Sequence, residues 1–254
     1  MESHATDARA YLHALRHMFV QEMVGQAEDF NGITAIHYAS PILHPSPREF
    51  SFHTEFLTPE TNAPAVVKAI TARLLPGEDH VLTIFAPNAE AVIGAYAELG
   101  YVHAWTGSLM AVGLDDAPAQ RPVANAALKV RRVTTLEDLE AGDLLEAFSP
   151  SPRRVLDDPA FNTFIAELAD YVIAKGRLIA TDPVYGHVCR FFTEPVSRRQ
   201  GAATAILNGL HERARGLGLK RLVLMPSKSA RGIGFFEKFG YRDTAPMMVL
   251  VPRG

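Results

Sequence analysis

Thr193-Glu-Pro-Val-Ser-Arg-Arg-Gln-Gly-Ala-Ala-Thr204 lies between a strand-like run and a helix, and its reading decides the fold. Its core, Arg198, Arg199, Gln200, Gly201, Ala202 and Ala203, opens a helix that continues Thr-Ala-Ile-Leu-Asn-Gly-Leu-His-Glu-Arg-Ala-Arg. The first turn of a helix carries N–H groups without intrahelical acceptors, together with the positive end of the macrodipole. It therefore attracts anions. Gly201 and the two alanines leave the backbone bare enough for a diphosphate to touch it. Arg198 and Arg199 add positive charge at the rim. The spacing is neither the Gly-x-x-x-x-Gly-Lys-Ser/Thr loop of nucleotide hydrolases nor the Gly-x-Gly-x-x-Gly of dinucleotide folds.

The flanks fill in the pattern. Upstream, Gly186-His-Val-Cys-Arg-Phe-Phe-Thr193 has the alternation and aromatic content of a strand. Downstream, Gly216-Leu-Gly-Leu-Lys ends the helix. Arg221-Leu-Val-Leu-Met225 reads as a buried strand. Ser229-Ala-Arg-Gly-Ile-Gly-Phe-Phe-Glu-Lys-Phe-Gly-Tyr241 and a last strand, Met247–Val251, follow. Strand, Arg-x-x-Gly-x-Ala loop, helix, strand, helix, Phe-Gly-Tyr and strand, in that order, closely resemble the GNAT superfamily of acyl-CoA-dependent N-acyltransferases. The resemblance runs from about Lys129 to Val251 and is most specific over Phe191–Tyr241.

Composition sets the outer bounds. The 254 residues suffice for one large or two ordinary domains, and 48% hydrophobic with 21% charged residues is a globular balance. A net charge of −3 leaves no basic footprint for nucleic acid. The single cysteine, Cys189, excludes an intrachain disulfide and a cysteine-rich metal site. The N-terminus lacks the basic-then-apolar pattern of a signal peptide, and no apolar run approaches the roughly 20 residues that cross a bilayer. A cytoplasmic, reducing location without membrane contact is expected.

The chain looks duplicated. Gly94-Ala-Tyr-Ala-Glu-Leu-Gly-Tyr101 matches Gly234-Phe-Phe-Glu-Lys-Phe-Gly-Tyr241 at an offset of about 140 residues, a domain-sized interval. A strand-like run precedes each match (His80–Phe85, Arg221–Met225), and before it comes an amphipathic helix (Ala63–Leu75, Ala202–Leu217). Leu114–Val123, with two prolines, charges and small residues, reads as a linker. The expected architecture is α/β (α+β): two GNAT-like repeats, each a mixed central sheet flanked by helices. Residues 1–120 form a degenerate repeat and 126–254 the acetyl-CoA-binding one. At the place of the phosphate loop the first half has Leu57-Thr-Pro-Glu-Thr-Asn-Ala-Pro64, shorter, without Arg-x-x-Gly, and with the negative charge of Glu60. A helix over 7–28, strands at Ile33–Tyr38 and Phe50–Phe56, and an N-cap at Thr135 complete the reading.

The resemblance implies transfer of an acetyl group from acetyl-CoA to the amine of a small molecule, without a metal. Pantetheine would bond to the main chain of Phe191, Phe192 and Thr193, and the diphosphate to the amides of Arg199 through Thr204. Ser229 and Phe236 occupy further cofactor positions. Phe236 stands where the family carries a tyrosine acid, and phenylalanine donates no proton. His187, where histone-type members carry a glutamate, is the candidate base, and Glu194 is a second candidate. Strict alternation would place residues 187, 189, 191 and 193 on one strand face. Histidine titrates near neutrality and suits the task. A non-catalytic acyl-CoA-binding protein, or a transferase of another acyl group or acceptor, is the alternative. The scaffold also allows a homodimer. His13 and His17 share a helix face, but no further ligand stands near them in sequence for zinc.

Overall fold

The computed structural model describes residues 2–22, 26–44, 50–75, 78–118, 120–123, 125–145, 151–226 and 230–253. The chain divides into two compact units, and they do not follow one another as two blocks. Unit 1 comprises Met1–Met110, Pro226–Ser229 and Asp243–Gly254, and unit 2 comprises Ala111–Met225 and Ala230–Arg242.

Unit 1 contains helix α1 (Glu2–Glu22), strands β1 (Gln26–Phe30), β2 (Ile33–His44) and β3 (Phe50–Thr58), and helix α2 (Ala63–Thr71). Strand β4 (His80–Phe85), helix α3 (Ala89–Ala97) and most of strand β5 (Tyr101–Gly113) follow. Its sheet runs β1-β2-β3-β4-β11-β5, where β11 is the last strand of the chain (Arg242–Pro252). β3 and β4 pair in parallel, and β11 pairs antiparallel with β4, Met247 opposite Phe85. One face is closed by α2 and α3: Val66, Ile70, Val92 and Tyr96 pack on Ala35, Phe56, Leu82, Ile84, Met248 and Leu250. Helix α1 supplies Tyr11 and Phe19, which stack against Phe85 and Tyr38.

Unit 2 takes in the end of β5, then β6 (Lys129–Arg132), α4 (Leu136–Asp143), α5 (Arg154–Asp157), β7 (Phe161–Leu168), β8 (Tyr171–Ile179) and β9 (Tyr185–Thr193). A 3-10 turn at Pro195–Ser197, α6 (Ala202–Gly216), β10 (Arg221–Leu224) and α7 (Ala230–Glu237) complete it. Its strands run β10-β9-β8-β7-β6, with only the β9–β10 pair parallel. Thr135 caps α4 by accepting from the Asp138 N–H at 3.2 Å, as the Thr-x-x-Asp spacing predicts.

Three stretches differ from the sequence expectation. The first helix stops at Glu22, and Gln26–Phe30 is a strand, although the expected helix ran to residue 28. β7 (Phe161–Leu168) has no counterpart in the sequence reading, because a strand buried on both faces shows no alternation. The third is the expected linker. Leu114 N–H donates to the Lys220 carbonyl at 2.8 Å, and Arg215 Nη2 donates to the carbonyls of Leu114, Ala117 and Pro118. Asn208 exchanges two hydrogen bonds with the Arg121 main chain, and Arg121 Nη1 reaches the Lys238 carbonyl at 2.7 Å. These residues form a strap tied along α6, within unit 2.

Candidate active site

The β9–α6 connection holds the residues expected to form the anion cradle. Buried Ala202, Ala205, Ile206, Leu210 and Ala214 recur at helical spacing and seat α6 on the sheet. Gly201 is the N-cap, at φ +91°, and no side chain caps the helix. That left-handed backbone costs an L-residue about 1–2 kcal/mol, which is why glycine stands there. Arg199 is also left-handed, at φ +66°. The turn points the first N–H groups of α6 outward beside exposed Arg198 and Arg199, with Gln200, Ala203 and Thr204 half-exposed. Ala202 turns its methyl into the core, at 2% exposure, so the bare rim is Gly201 and Ala203.

Strand β9 outruns its parallel neighbour. Pairing with β10 ends at Val188 opposite Leu224, whereas β9 continues to Thr193. In this stretch Arg190 takes φ +48°, and the register against β8 slips by one residue between Cys189–Arg177 and Phe192–Lys175. This is a β-bulge, and it reverses which way later side chains point. His187, Cys189 and Phe192 share the face of Ile179, Arg177 and Lys175, while Phe191 and Thr193 face α6. The alternation expected for 187, 189, 191 and 193 is therefore broken at Arg190. Gly176 makes room for the Phe191 ring, since a Cβ there would stand 2.9 Å from it and 2.6 Å from Ile206. Phe191 then packs on Phe235 and Phe236, at 5.8 and 5.4 Å between ring centres.

His187 is 3% exposed, and burial pushes its pKa down to about 4, so the ring is neutral at physiological pH. Glu194 accepts a hydrogen bond from Ser197 Oγ at 2.9 Å and so holds the 3-10 turn that leads into the cradle. Phe236, 7% exposed, fills the position of the family's acid with a ring packed on Phe191, Phe235 and Tyr241. Behind it, the Tyr241 hydroxyl meets His211 Nε2 at 3.1 Å. Ser229 lies outside the described residues.

Sequence reasoning missed the polar cluster on the His187 face. Lys175, 2% exposed, pairs with Asp143 at 3.0 Å, and Asp143 accepts from both the N–H and Oγ of Ser151. Arg177, 1% exposed, donates to Thr163 Oγ1 at 2.7 Å and to Ser151 Oγ, and burial pushes its pKa down to about 10. Breaking such a buried pair on one side typically costs about 3–5 kcal/mol. The signal was present: two cations two residues apart in an otherwise apolar strand. Among the described residues, no three His, Cys, Asp or Glu side chains converge to hold a metal ion, and no helix is long and apolar enough to cross a membrane.

Residues 133–241 match the model of the Acetyltransferase (GNAT) family. This stretch, less than half of the chain, is similar to GNAT acetyltransferases. Solved structures extend the likeness of fold to the whole chain. A GCN5-related N-acetyltransferase from Kribbella flavida is 16% identical, with a TM-score of 0.66 over 96% of this chain and 95% of that one. A GNAT-family putative acetyltransferase from Novosphingobium aromaticivorans is 13% identical, with a TM-score of 0.55 over 97% of each. A tandem GNAT protein from the clavulanic acid biosynthesis pathway is 12% identical, with a TM-score of 0.57 over 87% and 83%. No curated protein matches the chain. The GNAT match covers unit 2 elements only, and the mixed sheets flanked by helices are those of the GNAT fold.

Proposed function

We propose that unit 2 binds acetyl-CoA and passes its acetyl group to the amine of a small molecule, by direct attack within a ternary complex. One observation carries this reading: α6 begins at a left-handed glycine with no side-chain cap, beside two exposed arginines. The outrunning edge of β9 supports it, because a strand edge left by β10 can pair with an extended chain. Acetyl-CoA, when bound, supplies the acetyl thioester.

The chain's own residues hold and orient. The amides of Arg199 through Thr204 receive the diphosphate, and the main chain of Phe191, Phe192 and Thr193 receives the pantetheine. Phe191 and Phe236 give that arm an apolar wall that excludes water. His187, neutral at pH 7, offers a ring nitrogen for the amine proton. Burial has moved it from the near-neutral titration the sequence suggested to about 4, so it is a weak acceptor that takes the proton only as the new C–N bond acidifies the nitrogen. Glu194 positions the loop through Ser197.

The test is calorimetric titration with acetyl-CoA followed by a thiol-release screen over polyamines, amino acids and aminoglycosides. Binding with release is expected. No binding would overturn the cradle assignment. A second reading, an acyl-CoA-binding protein without turnover, is favoured by Phe236, which places no hydroxyl where the family's acid stands. Binding without release across the screen would favour it.

A further inference from the structure

Unit 1 holds a pocket of about 250 Å³ beside the helix that corresponds to α6. Ile33, Val66 and Ala69 give it an apolar side, and Asn31, Glu60 and Asn62 a polar one. Room for drug-sized ligands starts at roughly 300 Å³, so this space suits a smaller molecule. Its polar side is arranged against anions. The Asn62 side chain accepts from the Ala65 N–H, and Pro64 has no N–H, so the start of α2 is already capped. Glu60 adds a full negative charge.

The carboxylate stands at the rim, its side chain 44% exposed. The Glu60 side chain lies on the turn between β1 and β2, where a Cβ on Gly32 would stand 3.0 Å from its Cγ. A cation already reaches it: Arg9 Nη2 lies 3.7 Å from Oε1, with the Arg9 side chain 69% exposed. Exposed pairs of this kind contribute about 0–1 kcal/mol, so a ligand ammonium can displace the guanidinium. Below, Tyr96 is wholly buried in the same core as Ile33 and Val66, and its hydroxyl has no hydrogen-bond partner among the described residues. Glu60 is near enough to help burial raise its pKa.

We propose that this pocket is a second, non-catalytic site, which takes a small primary ammonium compound on the Glu60 carboxylate with its carbon chain against Ile33, Val66 and Ala69. The site is independent of the acetyl-CoA reading of unit 2. The probe is 1,4-diaminobutane, titrated at low salt into the full chain with its isoleucine and valine methyls labelled for NMR. Saturable shifts of the Ile33 and Val66 methyls are expected, with none from butane-1,4-diol. Glu60→Gln should weaken binding about three- to fivefold, as the loss of one exposed ion pair, and Ala69→Leu should abolish it by filling the space. Both variants should keep the wild-type melting temperature. Gly201→Glu, in unit 2, should leave these shifts unchanged, which separates this site from the acetyl-CoA cradle. No saturation, equal response to the diol, or wild-type affinity in both Glu60→Gln and Ala69→Leu would overturn the proposal.

Discussion

The two units begin corresponding helices in opposite ways. At α6 a left-handed glycine leaves the first turn without a side-chain cap, beside two exposed arginines. At α2 an asparagine caps the turn with its own side chain, proline removes one donor, and Glu60 stands where positive charge would be needed. Both helices pack an apolar stripe on their unit's sheet, α2 over the parallel β3 and β4 and α6 over the antiparallel β7, β8 and β9, so the fold is satisfied either way. A glycine at the N-cap gives up only a few tenths of a kcal/mol against a side-chain cap, and it leaves the first N–H groups open to an anionic ligand. The difference between the units is one of electrostatics and cap chemistry, laid over a common scaffold.

The sharpest way to break the comparison is Gly201→Glu. It forces a side chain into φ +91° and sets a carboxylate on the cradle, and calorimetry should find acetyl-CoA binding abolished. Unchanged affinity would remove the phosphate role from α6.

Acid should separate the units next. Burial holds His187 and His211 down at about 4 in unit 2, with Arg215 helping at His211, and burial also lowers His80 in unit 1. A histidine whose folded pKa lies below its unfolded value of 6.5 stabilises fully above pH 6.5, and that contribution is lost as pH falls toward 4. Each fully buried one removes about 1.4 kcal/mol per pH unit in that window. Unit 2 should therefore loosen first. The single tryptophan, Trp105, reports on unit 1, so its fluorescence transition should trail the far-ultraviolet circular dichroism transition on acid titration. Coincident transitions would refute the order.

A smaller effect is expected at His187. Its replacement by alanine should lower turnover about tenfold or more while acetyl-CoA affinity stays within about twofold, as for removal of a proton acceptor. A neutral result in the thiol-release assay would discard the histidine as base. The mildest change is Asn62→Ala, which should cost about 1 kcal/mol in urea unfolding through loss of the α2 cap and leave acetyl-CoA affinity untouched. A shift in that affinity would contradict the assignment of cofactor binding to unit 2.

The glycine turn that opens α6 was legible because its chemistry is local. Glycine, small residues and arginines at fixed spacing dictate a backbone shape without help from the rest of the chain. The Thr135 cap and the α6 stripe were readable for the same reason. The bulge at Arg190 was not, since no residue type there demands φ +48°, and only pairing with β8 reveals the extra residue. The fastening of Leu114–Val123 was equally hidden: proline and small residues mark a non-helical path, but its partners, Asn208 and Arg215, lie far along the chain. Lys175 and Arg177 showed as misplaced charges, yet Asp143 and Ser151 could be paired with them only in three dimensions.

The position of β11 bears on how the protein is made. Strand β4, near residue 80, has its antiparallel partner in the 240s, and every element of unit 2 is synthesised between them. Because chains emerge from the ribosome N-terminus first, at about 5–20 residues per second, unit 2 can close its own sheet while unit 1 still waits with the edge of β4 exposed. The earlier-made half is thus the last to be completed, and during that interval it is the half most open to chaperones and to aggregation.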